Sequence, residues 1–157
     1  MRCPNAASSS DTMKLLVICS VLLLAGTMMA YNLREEDLQY VKKLTHRCAN
    51  KTGGNEEDIT SFLNKDLPEK RTTKCLYACM SELFGIITRE GKLDVQALKD
   101  IAKFMYADKP DVQKVLNEIA DACVNTEHED RCELAYKATH CAIDEATRRN
   151  INYKEFM

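Results

Sequence analysis

The cysteines constrain what this chain can fold into more than any other feature of its sequence. Eight occur in 157 residues, and six of them follow residue 30. An even set of cysteines in a short chain from an oxidising compartment is typical of a disulfide framework. The six are Cys48, Cys75, Cys79, Cys123, Cys132 and Cys141.

The first thirty residues predict such a compartment. Lys14 precedes the apolar run 15–25 (LLVICSVLLLA), and small or unbranched residues follow up to Ala30. A basic start, a short apolar stretch and a small final residue are the layout of a secretory signal. We expect residues 1–30 to be removed as an N-terminal extension and signal peptide, with a cut a few residues earlier as the alternative. Cys3 and Cys19 then leave with the signal, and residues 31–157 form one secreted domain.

The charge of the remaining chain argues against nucleic acid as a partner. Residues 31–157 carry 20 basic and 23 acidic side chains, with both signs interspersed. Phosphate binding requires clustered lysine and arginine, and no such stripe is present in the sequence. The apolar run near the N-terminus is too short for a comfortable bilayer span, so stable membrane insertion is not expected either.

The spacing of apolar residues predicts an all-α fold. They recur every three or four positions, and glycine and proline are scarce. Three helices are expected at about 34–51, 56–66 and 72–84, followed by a loop over 85–92. Two more begin near Asp94, a good N-cap, and at Pro110, and the last covers about 131–149.

The cysteine positions restrict how these helices are joined. Cys75 and Cys79 are four residues apart on one predicted helix and therefore share a face. Cys132 and Cys141 lie on opposite sides of the last helix, about 13.5 Å apart along its axis. A disulfide requires Cα atoms within about 7 Å, so these two cannot bond each other. Of the 15 pairings that six cysteines allow, geometry removes some and selects none.

The last helix has one face of small residues and an opposite charged face. Placed on a helical wheel, Ala135, Ala138, Thr139, Ala142 and Ala146 fall together, opposite Glu133, Lys137, His140 and Asp144. The small side chains allow two interpretations. Either a neighbouring helix approaches closely, or space is left for a ligand, and both can hold along different turns.

The sequence contains no arrangement that indicates catalysis, a metal or a cofactor. The three-residue and eight-residue cysteine spacers do not suit a structural zinc site. His46, His128 and His140 have no nucleophile arranged with them by a known motif. There is no glycine-rich phosphate loop and no calcium loop. We therefore predict that the protein is not an enzyme.

The cysteine spacing resembles that of the six-cysteine insect odorant-binding proteins. Its spacers are 26, 3, 43, 8 and 8 residues, and the three and the final eight are that family's signature. The segments KCLYACMSELFGIITREGKLD (74–94) and CELAYKATHC (132–141) resemble its third and last helices. The resemblance implies an interlocked pairing of Cys48 with Cys79, Cys75 with Cys132 and Cys123 with Cys141.

The resemblance also implies an apolar ligand pocket among helices one, three, four, five and six. The residues carried over by position are Leu44, Met80, Phe84, Ile86, Leu93, Leu98, Met105, Ile119, Ala135 and Thr139. Tyr153 and Phe156 in the C-terminal tail would close one wall. Ordinary core packing is the alternative for each of the ten, and a frayed terminus is the alternative for the tail. Hydroxyl groups that could anchor a ligand are those of Thr139, Ser81 and Tyr136.

The function implied is a secreted carrier that binds a small apolar or amphiphilic molecule, such as an odorant, a pheromone or a similar semiochemical. Binding would be an equilibrium without chemistry, in the extracellular fluid. A membrane chemoreceptor or a second copy of the chain stays open as a further partner. Two alternatives are a secreted helical signalling protein with a packed core and a lipid-shuttling helical protein.

Overall fold

The predicted all-α fold is confirmed in a computed structural model, which describes residues 35–155. The helices are α1 (Glu35–Thr52), α2 (Glu56–Leu63), α3 (Arg71–Leu83), α4 (Val95–Met105), α5 (Pro110–Ala122) and α6 (Arg131–Arg148), followed by a 3-10 turn at Tyr153–Glu155. The expected signal peptide and Phe156 lie outside the described residues. No helix within 35–155 has the length and apolar composition that a bilayer span requires.

The chain divides into two units between Tyr40 and Val41. The described part of the first unit is the start of α1, where Leu38 and Tyr40 are largely exposed. The architecture below is that of residues 41–155.

Helix α2 ends three residues earlier than its apolar pattern predicts, so the expected end at Asp66 is wrong. Lys65 adopts the left-handed conformation, with φ of 59°. The Asp66 N–H then donates to the Ser61 carbonyl at 3.0 Å, and this hydrogen bond ends the helix instead of extending it. Glycine is the usual residue at such a position. Because lysine stands here instead, the sequence gives no sign that the helix ends.

Helix α3 lies at the centre of the packed part of the molecule. One face carries Leu76 and Met80, which are 0 % and 1 % exposed and pack with residues of α1 and α2. The other face carries Tyr77 and Ala78, which pack against Leu134 of α6 and its neighbours. Because both faces of α3 are covered, this half of the domain is a solid core.

Disulfides fix α3 to the helices on either side of it. Within residues 35–155 the bridges are Cys48–Cys79, Cys75–Cys132 and Cys123–Cys141, which is the pairing that the resemblance implies. Two of them join α3 to α1 and to α6. The third joins the C-cap of α5 to the middle of α6 and closes a sequence separation of 18 residues.

Ion pairs at the surface align α3 with the beginning of α6. Asp130 is the N-cap of α6 and accepts from the Glu133 N–H at 3.0 Å. Both of its carboxylate oxygens also accept from the Arg71 guanidinium, at 2.8 and 2.6 Å. These hydrogen bonds hold the pKa of Asp130 well below its usual range. Ion pairs between side chains this exposed contribute little to stability, so this pair orients the helices more than it stabilises them.

The loop after α3 returns to the core instead of extending into solvent. Ile87 and Leu93 form an isolated antiparallel bridge, and Ile87 is 3 % exposed within the packing of α3 and α6. The Asp94 N–H donates to the Ile86 carbonyl at 2.8 Å. The bridge places Asp94 where its carboxylate caps α4 through the Ala97 N–H at 3.0 Å.

A buried carboxylate joins α2 to α3. Asp58 is 2 % exposed, and its oxygens accept from the Asn55 N–H at 2.9 Å and from the hydroxyls of Thr72, at 2.9 Å, and Thr73. Burial by itself raises the pKa of Asp58, but the hydrogen bonds from Thr73, Asn55 and Thr72 outweigh it, and the pKa lies below its ordinary value. The folded state therefore binds this proton less readily than the unfolded chain.

Replacing this carboxylate should weaken the fold and its dependence on pH. A pKa lowered by folding gives stability that is present above about pH 4 and is lost as pH falls through the folded-state value. We expect Asp58→Asn to lower the free energy of unfolding at pH 7 by about 1–3 kcal/mol, because the three donors no longer meet a charged acceptor. Urea titrations between pH 7 and pH 2.5 should show a shallower acid decline for this variant. Glu56→Gln, at an exposed site in the same turn, should reproduce the decline of the wild type.

Candidate functional site

A cavity of about 250 Å³ lies between α5, α6 and the C-terminal tail. Its described wall residues are mostly aliphatic: Asp111, Val112, Val115, Leu116, Ile119, Ala142, Ala146, Ile151 and Tyr153. The cavity therefore lies along the later turns of α6, beyond the turns that pack in the solid core around α3. It is a space that apolar side chains surround and do not fill.

Helix α5 supplies the aliphatic wall. Pro110 at its first position starts the helix, and the branched residues then recur at three and four. Val112, Val115, Leu116 and Ile119 consequently project from one side, and only Ile119 among them is fully buried. The other three are half-buried and border the cavity.

Helix α6 supplies the opposite wall through its small residues. The two interpretations of these residues hold at different turns. Ala135 is 3 % exposed and allows close packing against α3 and the loop after it. Ala142 and Ala146, two and three turns further along, face the cavity. Short side chains at these positions leave the space that larger residues would occupy.

The tail closes the cavity because α6 ends in a tight reversal. Asn150 is left-handed, with φ of 57°, and the Ile151 N–H donates back to the Ala146 carbonyl at 2.9 Å. Asparagine tolerates this conformation at the end of a helix better than most residues. The reversal brings Ile151 and Tyr153 over the cavity, where both are half-buried.

Polar contacts tie the tail to the loop between α2 and α3. The Lys154 ammonium lies 2.8 Å from Asp66 Oδ1, and the Lys65 ammonium donates to the Lys154 carbonyl at 2.6 Å. The hydrogen bond from Lys154 to Asp66 raises the pKa of the lysine. The Tyr77 hydroxyl donates to the Asp66 carbonyl at 2.6 Å, so this loop is itself fixed to α3. The tail wall thereby obtains its position from the solid core.

Charges near the end of α6 join it to α5. Glu145 is 9 % exposed and accepts from the guanidiniums of Arg149 and Arg148. The hydrogen bond from Arg149 lowers the pKa of Glu145. Arg149 Nε also lies 3.9 Å from Glu118 Oε2 on α5. These groups, with the Cys123–Cys141 bridge, hold the two cavity walls at their separation.

A second, more polar cleft lies between the loop after α3 and the link before α6. Leu93 and Val124 are among its residues, and Glu90, Glu127, His128 and Glu129 make it more polar than the first cavity. The His128 ring accepts from the Asp130 N–H at 3.0 Å, which is a local turn contact. This cleft lacks the apolar enclosure of the first cavity.

The family model of the PBP/GOBP family matches residues 30–145. This chain belongs to the PBP/GOBP family. The resemblance to pheromone-binding and general odorant-binding proteins, predicted from the cysteine spacing, is thus confirmed. The match covers every one of the six cysteines and five of the helices in full, together with most of α6.

Other proteins of this kind are similar over most of the chain. General odorant-binding protein 19d of Drosophila melanogaster is 27 % identical over 146 residues, which are 89 % of this chain and 97 % of that protein. Among solved structures, odorant-binding protein dmelOBP28a from Drosophila melanogaster is similar with a TM-score of 0.65 and 28 % identity, over 75 % of this chain and 98 % of that one. A pheromone-binding protein from the cockroach Leucophaea maderae, solved with the fluorescent reporter 1-anilinonaphthalene-8-sulfonic acid, is similar with a TM-score of 0.55 and 26 % identity, over 65 % and 88 % of the two chains.

The structure disperses the ligand-binding residues that the PBP/GOBP resemblance implies. Ile119 and Tyr153 line the apolar cavity, and Leu93 borders the polar cleft. Met80, Leu44 and Ala135 lie in the packed core, while Phe84 and Met105 are 42 % and 45 % exposed. Ile86, Leu98 and Thr139 are half-buried, and Phe156 lies outside the described residues.

The anchoring hydroxyls are also elsewhere. The Thr139 hydroxyl donates to the Ala135 carbonyl of its own helix at 2.9 Å, and the Tyr136 ring lies under the Lys74 ammonium at 4.0 Å. Neither they nor Ser81 line the cavity.

The cavity residues missed by this list had a signal in the sequence. Val112, Val115 and Leu116 form the apolar stripe of α5, and Ala142 and Ala146 belong to the small face of α6. The periodicity of these residues indicates that both faces turn inward. It could not show that the two faces stand apart and enclose space, because that depends on the distance between the helices.

Removing the Lys154 ammonium should loosen the tail without affecting the core. The ion pair with Asp66 is half exposed, so its loss should change the overall stability little. We expect Lys154→Ala to increase amide hydrogen exchange at residues 151–155 by about fivefold or less, with unchanged exchange in α3. Lys114→Ala, at an exposed position of α5, is the matched control. Equal exchange in the tails of both variants would show that the ion pair does not hold the wall.

Proposed function

We propose that this protein is a carrier that holds a small apolar or amphiphilic molecule in the cavity between α5, α6 and the tail. The observation that carries the proposal is the apolar space itself, enclosed by aliphatic residues of two helices and by Tyr153. Its membership of the PBP/GOBP family supports the same function. The ligand class expected is that of odorants, pheromones and similar semiochemicals.

The cavity size limits the ligand to a small one. An engineered protein cavity of about 150 Å³ takes up benzene, whereas sites for drug-sized molecules span about 300–1,000 Å³. At about 250 Å³ this cavity fits a molecule between those sizes. Burial of about ten methylenes at about 0.8 kcal/mol each would give about 8 kcal/mol, which corresponds to a micromolar Kd before association costs.

The wall offers binding and no chemistry. Eight of its nine described residues are aliphatic or aromatic, and the ninth, Asp111, is exposed. General acid–base catalysis uses a positioned group with a tuned pKa, and nucleophilic catalysis uses an activated nucleophile beside a base. We therefore propose a carrier without enzymatic activity.

Filling the cavity should weaken binding and leave the fold intact. Ala142→Phe adds a ring where the small face of α6 now leaves space. Displacing only two buried methylenes of a ligand costs about 1.6 kcal/mol, so the Kd of a neutral fluorescent dye should rise about tenfold or more. Fluorescence titration measures the Kd, and circular dichroism confirms the helices.

The matched control is Ala122→Phe, the same substitution at an exposed alanine of α5 outside the cavity wall. It should bind the dye like the wild type. Wild-type protein that takes up no dye at all would contradict the carrier function and favour a signalling protein with a packed core. Transfer of the protein onto vesicles in place of dye binding would favour the lipid-shuttling alternative.

We propose further that the mature protein is secreted. Three disulfides within residues 35–155 support this, because such bridges form and persist in oxidising compartments. The basic start and apolar run of residues 14–25 support export as well.

Expression of the full chain in a secreting eukaryotic cell tests the proposal. The protein in the medium should begin at Tyr31, or a few residues earlier, and intact mass spectrometry should show three disulfides and no free thiol. Retention in the cell with residues 1–30 still attached would contradict it.

A further inference from the structure

We infer that the mature protein carries one N-linked oligosaccharide on the side-chain amide of Asn50, on the outer face of α1 and away from the cavity. The inference rests on the proposed secretion, because this modification is typical of secreted proteins. It comes from an acceptor tripeptide in the sequence and from the position that the fold gives to its asparagine.

Asn50, Lys51 and Thr52 form the acceptor tripeptide of N-glycosylation. In such a tripeptide an asparagine is followed two residues later by serine or threonine, with no proline between them. The chain contains nine asparagines, and none of the other eight is followed by serine or threonine at that distance. Because the pattern is short, the place of Asn50 in the fold is what gives it weight.

Asn50 lies on the outer face of α1. It is exposed, as are Arg47 and His46 on the preceding turn. Cys48, two positions earlier, points about 200° away around the helix and is 1 % exposed in the core. Within residues 35–155 the Asn50 side chain makes no hydrogen bond and no ion pair. A bulky, solvated oligosaccharide on its amide therefore displaces no contact of the fold.

The oligosaccharide has to be attached before the last turn of α1 forms. In the folded protein the Thr52 hydroxyl donates to the Cys48 carbonyl at 2.9 Å, so the tripeptide is part of the helix. Acceptor tripeptides are typical of loops. The disulfide that fixes this end of α1 requires Cys79, which follows Cys48 by 31 residues. Asn50 consequently enters the secretory pathway before its helix can be fixed to α3.

The attachment exchanges one bond for another at the first sugar. The donor is an oligosaccharide joined through its C1 atom to a lipid diphosphate, and the secreting cell supplies it. The Asn50 Nδ2 atom forms a bond to C1 while the bond from C1 to the diphosphate oxygen breaks. The lipid diphosphate leaves with the electron pair of that bond, and the amide gives up one proton.

The oligosaccharide should not affect ligand binding. The described wall of the cavity belongs to α5, α6 and the tail, and it includes no residue of α1. We therefore expect the glycosylated protein and the enzymatically deglycosylated protein to bind a neutral fluorescent dye with the same Kd.

Expression of the full chain in a secreting eukaryotic cell, followed by intact mass spectrometry, tests the inference. The secreted protein should exceed the mass of its polypeptide by one oligosaccharide. An amidase that cleaves N-linked oligosaccharides should remove the excess and leave an aspartate in place of Asn50. Asn50→Gln and Thr52→Ala should be secreted without the excess mass. Thr52→Ser keeps the acceptor pattern and the hydroxyl, so it should carry the oligosaccharide as the wild type does.

Asn125→Gln is the matched control, because it changes an exposed asparagine that is outside any acceptor tripeptide. It should keep the oligosaccharide. Wild-type protein secreted at the mass of its polypeptide, or an excess mass that Asn50→Gln retains, would overturn the inference and leave the proposed secretion standing. A Kd for the dye that changes on deglycosylation would overturn the placement away from the cavity. Retention in the cell with residues 1–30 attached and no oligosaccharide would overturn both the inference and the secretion.

Discussion

Disulfides join α3 to α1 on one side and to α6 on the other, and they allow the domain to contain a cavity. Cys75 and Cys79 are one turn apart, so their bridges fix the rotation of α3 against α6 and α1 together. Each bridge contributes about 2–4 kcal/mol. A cavity of about 250 Å³ costs up to about 6 kcal/mol at about 24 cal/mol per Å³. The bridges therefore allow a small domain to keep space that its own side chains do not fill.

The two ends of α6 show how one helix can contribute both to a solid core and to a cavity wall. Leu134 is fully buried and Ala135 nearly so, and both face α3 near the start of the helix. Further along, Ala142 and Ala146 face α5 across open space. Cys141 lies between these regions and bonds Cys123, so the two walls are held together beside the cavity and not across it. Small residues thus allow close packing where the neighbouring helix is near, and they leave open space where it is distant.

Most of the fold could be predicted from the sequence because its signals are local. Asp94 and Pro110 marked the beginnings of α4 and α5, and both helices begin there. The end of α2 could not be predicted in the same way. Lys65 adopts a left-handed conformation there, and a lysine in the sequence does not indicate that conformation. The cavity was predicted less well than the fold. Periodicity shows which face of a helix turns inward. Met80 and Val115 both belong to such apolar faces, so the sequence does not distinguish them. Only the distances between helices place Met80 in the core and Val115 on a cavity wall.

The turn at Lys65, which ends α2, also affects the position of the C-terminal tail. By ending α2 early, it leaves Asp66 in a loop whose carbonyl accepts from the buried Tyr77 and whose carboxylate binds Lys154. Tyr77 is 7 % exposed, and burial raises the pKa of its hydroxyl, which thus stays protonated and a donor throughout the physiological range. The rigid half of the domain thereby orients the residue that holds the tail. Tyr153 in that tail forms one wall of the cavity. Contacts made in the solid core around α3 therefore determine the shape of the cavity.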